Sequence, residues 1–194
     1  MNKKLSPKAE HLVKTTRELL KRYGVKRVSV EEICREAGVS KMTFYRNFPN
    51  KTAIVKHIVE CIFADVWEIS NNIFNENIKF EEKMEKVDAA RWEYLNNIGQ
   101  EFLEELACQS DPDIRQMMEA EYRKSNNRIK SIFQDAQNSG EIRSDIKIDY
   151  ILYMMDVINN ISRDENLQKM YPDLSSLSKE IHNFLCYGVM GKKE

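Results

Sequence analysis

Apolar residues recur at helical spacing along nearly the whole chain. Leu12, Val13, Thr16, Leu19, Leu20 and Tyr23 lie three and four apart and predict the buried stripe of a first helix, capped by Ser6, opened by Pro7 and stopped at Gly24. Pro49 and Asn50 break the chain before a long helix from about Lys51 to Asn75, whose main apolar face carries Ile54, Ile58, Ile62, Ile69 and Ile73. A second long helix is predicted from Phe80 to Cys108. Asp111 and Pro112 restart the chain towards Asn138, and Ser139 with Gly140 ends that segment. Two further stripes follow: Ile148, Ile151, Leu152, Met155, Ile158 and Ile161, then Leu174, Leu177, Ile181, Phe184, Leu185 and Gly188. No β pattern, internal repeat or low-complexity tract competes, so the fold class is all-α.

Residues 29–51 hold two short helices around a sharp corner. Ser29 can cap the first and Glu32, three residues on, can complete a capping box, with Val28 and Ile33 at the spacing of a hydrophobic staple. Gly38 tolerates positive φ at the corner, Ser40 can cap the second helix, and Val39 with Phe44 repeats the staple. Phe44 and Phe48, four apart, face inward, which leaves Lys41, Met42, Thr43, Tyr45, Arg46 and Asn47 largely on other faces. Donors, cations and an aromatic on one short helix suit a DNA groove, and the arrangement fits a helix-turn-helix. An ordinary helical hairpin decorated with charge is the plainer alternative.

Charge distribution favours the first reading. The chain as a whole is nearly neutral, at −1, yet residues 1–50 hold 12 Lys or Arg against 5 Asp or Glu, and the remainder holds 18 against 26. The basic excess therefore coincides with the helix-turn-helix, where it would attract phosphate and release counterions.

The run Glu-Ile-Cys-Arg-Glu-Ala-Gly-Val-Ser-Lys-Met-Thr-Phe-Tyr-Arg-Asn-Phe-Pro-Asn-Lys-Thr-Ala-Ile, residues 32–54, resembles the DNA-binding segment of tetracycline-repressor (TetR) family regulators, and the likeness extends over residues 8–60. It implies a DNA-binding domain over 1–50 and a helical ligand-binding and dimerisation domain over 51–194. By position it implies that Thr43 contacts a base or phosphate, that the Tyr45 hydroxyl bonds phosphate, and that Lys51 touches the backbone from the start of the next helix. Lys41, Met42, Arg46 and Asn47 complete the DNA-facing set. Met42 departs from the family, where a small residue, often Gly, is common, and its side chain either meets a thymine methyl or limits how deeply the helix enters. Cys34 stands where Ala is common.

A helix-turn-helix usually reads a two-fold operator, so a homodimer is expected. The resemblance assigns its interface to the last two stripes, through Ile151, Met155, Ile158, Leu177, Ile181, Phe184, Leu185 and Gly188; the same stripes would serve an intrachain core equally well. It also places an unknown small-molecule effector in the body, for which Trp67, Trp92, Phe102, Met117, Met118 and Tyr122 offer bulky, adaptable walls. The expected function is a dimeric repressor released from double-stranded operator DNA by that effector. The alternative is a DNA-bound architectural or partner-dependent protein without one. An enzyme is not expected, since no phosphate loop, nucleophile elbow or His-Glu-x-x-His occurs.

No cofactor or metal is expected, because His11, His57 and His182 are scattered. Cys34, Cys61, Cys108 and Cys186 form no Cys-x-x-Cys pair and read as reduced, buried thiols. No apolar stretch approaches the ~20 residues of a membrane span, and the N-terminus lacks a signal peptide's apolar run, so a cytoplasmic location is expected.

Overall fold

The computed structural model describes residues 5–107, 111–161, 164–171 and 174–189. All elements among them are helices: α1 (Pro7–Arg27), α2 (Val30–Glu36), α3 (Lys41–Asn47), α4 (Lys51–Phe74), α5 (Phe80–Asn96), α6 (Gln100–Ala107), α7 (Pro112–Asn138), α8 (Ile148–Ile161), α9 (Glu165–Gln168) and α10 (Leu174–Val189). The starts are written locally. Side chains of Ser6, Ser29, Ser40, Asn50 and Asp111 accept from backbone N–H groups in the first turns of α1, α2, α3, α4 and α7.

Two sequence expectations are corrected. The single helix expected over 80–108 is divided into α5 and α6, because Gly99 adopts φ 104° and the chain turns there. A Cβ at Gly99 would lie 2.6 Å from the Lys21 carbonyl oxygen, so the turn brings α6 hard against α1. Gly24, expected to stop the first helix, instead sits in a kink inside α1, and Tyr23 of its stripe is exposed. The short α9 carried no signal.

The chain forms two compact units, Met1–Ser70 with Ala89–Tyr122, and Asn71–Asp88 with Arg123–Glu194. In the first, Leu12, Leu20, Ile33, Phe44, Ile54, Ile58 and Phe102 are fully buried in one apolar cluster. Each such side chain contributes roughly 1.5 to 3 kcal/mol relative to exposure. One polar knot crosses this unit: Arg17 of α1 and the Tyr94 hydroxyl of α5 both donate to Asp65 of α4, and Arg17 also donates to Tyr94. In the second unit Phe80 stacks on Phe74 and meets Phe133 edge-on at 5.1 Å, beside Ile142, Ile148 and Ile151. Glu141 accepts from the Phe80 N–H at 2.7 Å and so caps α5 within the unit.

The kink in α1 is held from both sides. Gly24 has φ 70° and ψ 179°, a region open essentially to glycine alone. The rotation turns the N–H groups of Val25 and Lys26 towards the Glu105 carboxylate of α6, which accepts both. On the carbonyl side, Lys51 Nζ donates to Val25 O at 2.9 Å and Val28 O at 3.0 Å. The backbone groups freed by the kink thus find charged partners, which are stronger than neutral ones.

Gly24→Ala is expected to lower the unfolding free energy by about 1 to 3 kcal/mol from backbone strain, with a further loss because the new Cβ would lie 2.8 Å from Glu105 Cδ. Gly38→Ala, whose φ is 62° in open space, should cost only the left-handed backbone, about 1 to 2 kcal/mol. Urea unfolding of both variants checks the order. Burial first, then the hydrogen bond to Asp65, pushes the Tyr94 phenol up to about 12. Its folded pKa lies above the unfolded value near 10, so its contribution to stability is complete below pH ~10 and is lost as pH rises towards 12. In an alkaline absorbance titration one tyrosine should ionise late, and Tyr94→Phe should remove that phase.

Candidate nucleic-acid interface

The corner between α2 and α3 is built from short-range rules. The Val39 N–H donates to Cys34 O at 3.0 Å, and Gly38 holds the positive φ that turns the chain. Phe44 is fully buried, with Tyr45 edge-on at 5.4 Å and Phe48 at 6.2 Å. Anchored by that ring, α3 turns its other faces outward. Met42 is 72% exposed and Tyr45 51%, and Lys41 and Arg46 are exposed beside them.

The polar groups of α3 are already ordered. Ser40 and Thr43 hydroxyls lie 3.1 Å apart, and the Asn47 amide donates to Thr43 O at 2.8 Å. Asn47 Oδ1 in turn accepts from Ser6 at 3.4 Å, which ties the end of α3 to the start of α1. Lys41 Nζ donates to Glu31 of α2, and that bond holds the Glu31 carboxyl below and the Lys41 ammonium above their ordinary ranges. Glu31 had no sequence signal of this role beyond lying ten residues before Lys41. Lys51 is half-buried, with two of its three protons spent on the α1 kink. The Cys34 thiol, buried behind the corner, is pushed up by desolvation.

The six aromatic and Met positions singled out for a ligand all fall in the first compact unit, but they do not converge equally. Phe102 is fully buried in the core cluster, and Met117 and Met118 pack half-buried against it. Trp67 is half-buried, whereas Trp92 and Tyr122 are exposed, Tyr122 meeting Phe63 edge-on at 5.1 Å.

Of the expected interface positions, Ile151 and Leu177 are buried within the second unit and Met155 packs against its core. Ile158 and Ile181 are half-buried, and Phe184 is 74% exposed. The side chain of Leu185, and Gly188 apart from its place in α10, lie outside the described residues. Tyr150 and Tyr153 of α8, Met170, and Tyr187 of α10 are also exposed, and the apolar stripes gave no sign of them. They lie off the stripe that fills the unit's own core.

No helix among the described residues is long and apolar enough to cross a membrane. No group of three His, Cys, Asp or Glu residues among them could hold a metal ion.

Because Lys51 satisfies the carbonyls of Val25 and Val28 at the end of α1, Lys51→Met is expected to lower the unfolding free energy by about 1 to 3 kcal/mol. Arg46→Met, on the exposed face of α3, should stay within about 0.5 kcal/mol of wild type. Chemical denaturation without DNA separates the two.

Comparison with known proteins agrees with this geometry. The nucleoid occlusion factor SlmA of Vibrio cholerae is 29% identical over 75 residues, 39% of this chain and 38% of that protein, so the match spans well under half of the relative. Among solved structures, the regulator FadR of Bacillus subtilis in complex with stearoyl-CoA superposes with a TM-score of 0.71 at 19% identity, covering 93% of this chain and 98% of that one. The regulatory protein TetR of Rhodobacter sphaeroides gives 0.75 at 17% identity, covering 95% and 100%. These two likenesses establish the fold. Residues 12–58, the span from α1 through the corner and α3 into α4, match the model of bacterial regulatory proteins of the tetR family.

Proposed function

We propose that the chain acts as a dimeric repressor whose α3 enters the major groove of a two-fold operator, and that a small molecule bound in the body releases it. The observation that carries the DNA-reading step is the α3 surface itself: Lys41, Met42, Tyr45 and Arg46 are exposed on a helix fixed by one buried phenylalanine, in the basic part of an otherwise acidic chain. In this reading residues 1–50 do the reading, and residues 51–194 dimerise and sense. The Tyr45 hydroxyl bonds a phosphate, Thr43 meets a base or phosphate, and Met42 offers an apolar tip to a thymine methyl. Asn47 holds α3 in register, and the third proton of Lys51 is left for the backbone.

For dimerisation, Phe184 together with Tyr153 and Tyr187 supplies exposed aromatic area in the second unit, which favours α8 and α10 as the interface. Ile151 and Leu177 support it from beneath. The release step draws on relatives: a regulator of the same fold has been solved with stearoyl-CoA. A coupling of about 1 to 3 kcal/mol suffices to change operator affinity roughly 5- to 150-fold. The SlmA likeness is the observation that keeps an architectural role as the rival.

Selection of random genomic fragments by the purified protein at moderate salt tests the reading. A shared palindrome is expected; retention without a common motif would overturn site-specific repression and favour the rival. The release step is tested separately on the selected operator with fractionated small-molecule extract, and it fails when no fraction lowers affinity.

Two variants test the assigned contacts. Tyr45→Phe should weaken binding to all DNA alike, by about tenfold for one hydrogen bond to a charged oxygen. Unchanged affinity would remove Tyr45 from the contact set. Glu31→Gln frees Lys41 for phosphate, so the dependence of log affinity on log salt should steepen by about one. An unaltered slope would show that Lys41 does not reach the backbone.

A further inference from the structure

Among the described residues, the body carries one buried side-chain polar atom that its own packing does not explain. On α5, Val87 is buried and Tyr94 and Leu95 are half-buried, and Ile98, just past the helix end, is buried as well, so these positions, three, four and seven apart, mark the inward stripe. Arg91 stands on that stripe, four residues from Val87 and three from Tyr94. Its Nε is buried without a hydrogen-bond partner, and its guanidinium joins no ion pair among the described residues. A buried donor left unpaired costs stability, and native structures satisfy nearly all such groups. Arginine, moreover, has no neutral form to retreat to. A long apolar side chain would fill the same stripe without that cost.

We propose that Arg91 binds the carboxylate of the effector, and that the effector is a small organic carboxylate on an apolar skeleton. The chemistry follows from which nitrogen is unpaired. Nε and the adjacent Nη present two parallel N–H groups on one edge of the guanidinium, and a planar carboxylate accepts both. One turn along α5, Tyr94 and Leu95 pack against the cluster to which Phe63, Val66, Met117 and Met118 also contribute half-buried side chains. These offer an apolar, adaptable wall for the remainder of the ligand. The nearby Arg17–Asp65–Tyr94 knot is internally paired and takes no part.

This assignment rests on the effector reading above and deepens it. The test uses the full chain, with octanoate and its uncharged isostere octanamide as probes in titration calorimetry. Octanoate is expected to bind about ten- to a hundredfold tighter than octanamide, as a charge-assisted bidentate pair requires. Arg91→Met should reduce octanoate to the octanamide level and leave octanamide unchanged, while Arg91→Lys, which lacks the two-donor edge, should fall between. Thermal unfolding supplies a second readout. The ligand-free Arg91→Met protein is expected to melt about 2 to 4 °C higher, because the unpaired donor is gone, whereas a purely structural Arg91 would give a lower melting temperature.

Equal binding of the two probes, octanoate binding that survives Arg91→Met, no octanoate binding, or a fall in melting temperature each overturns the carboxylate assignment. None of these outcomes touches the release step, which is judged on the selected operator. A failure there with octanoate still bound through Arg91 would sink the repressor mechanism and leave the carboxylate site standing.

Discussion

The kink at Gly24 is the constraint on which the reading head depends. A helix that breaks in its last turn exposes N–H and carbonyl groups that need partners, and here both sets are met by charge: Glu105 takes the N–H groups of Val25 and Lys26, and Lys51 supplies protons to Val25 O and Val28 O. The segment that leads into α2 is therefore gripped between α6 and the first residue of α4. Loss of either charged partner would leave the other buried end of the segment underdetermined, and the direction in which α2 departs would follow.

That grip also explains why the head and the middle helices form one compact unit. Gly99 lets the backbone of α6 approach α1 at Lys21 more closely than any side chain would allow, and Phe102, in the first turn of α6, fills the core shared with α1. Arg17, Asp65 and Tyr94 add a polar tie between α1, α4 and α5 within the same unit. The surface of α3 is thereby carried on a frame to which α4, α5 and α6 all contribute. A change in how those helices pack has a physical route to α3 through hydrogen bonds and packed rings.

The recognition hairpin was largely legible in the chain because its determinants are local. Ser29 and Ser40 cap helices three residues ahead of them, Gly38 sits at the one position with positive φ in the corner, and Phe44 lies at the spacing that turns it inward; each rule acts over four residues or fewer. The paired state of Lys41 was not legible. Its partner Glu31 belongs to another helix, and only the corner angle brings them together. The candidate body positions were less legible still, since apolar periodicity marks an inward face without saying whether it meets a core, a second copy or a ligand. Phe102 and Ile151 proved to be core, while Phe184 and Trp92 lie exposed.

By itself the sequence determined the all-helical class, the starts of α1 to α4 and α7, the corner and the outward face of α3, because caps, glycine conformations and the 3.6-residue period depend on near neighbours alone. Tertiary structure decided what depends on distant partners: that Glu105 answers the kink eighty residues earlier, that Gly99 breaks the expected long helix to admit α1, and that two of the three Lys51 protons are spent on bracing. It also decided that Arg91 stands on an inward stripe with a donor unmet. Partners so far apart along the chain leave no periodic trace in it, and the geometry that joins them exists only once the core has closed.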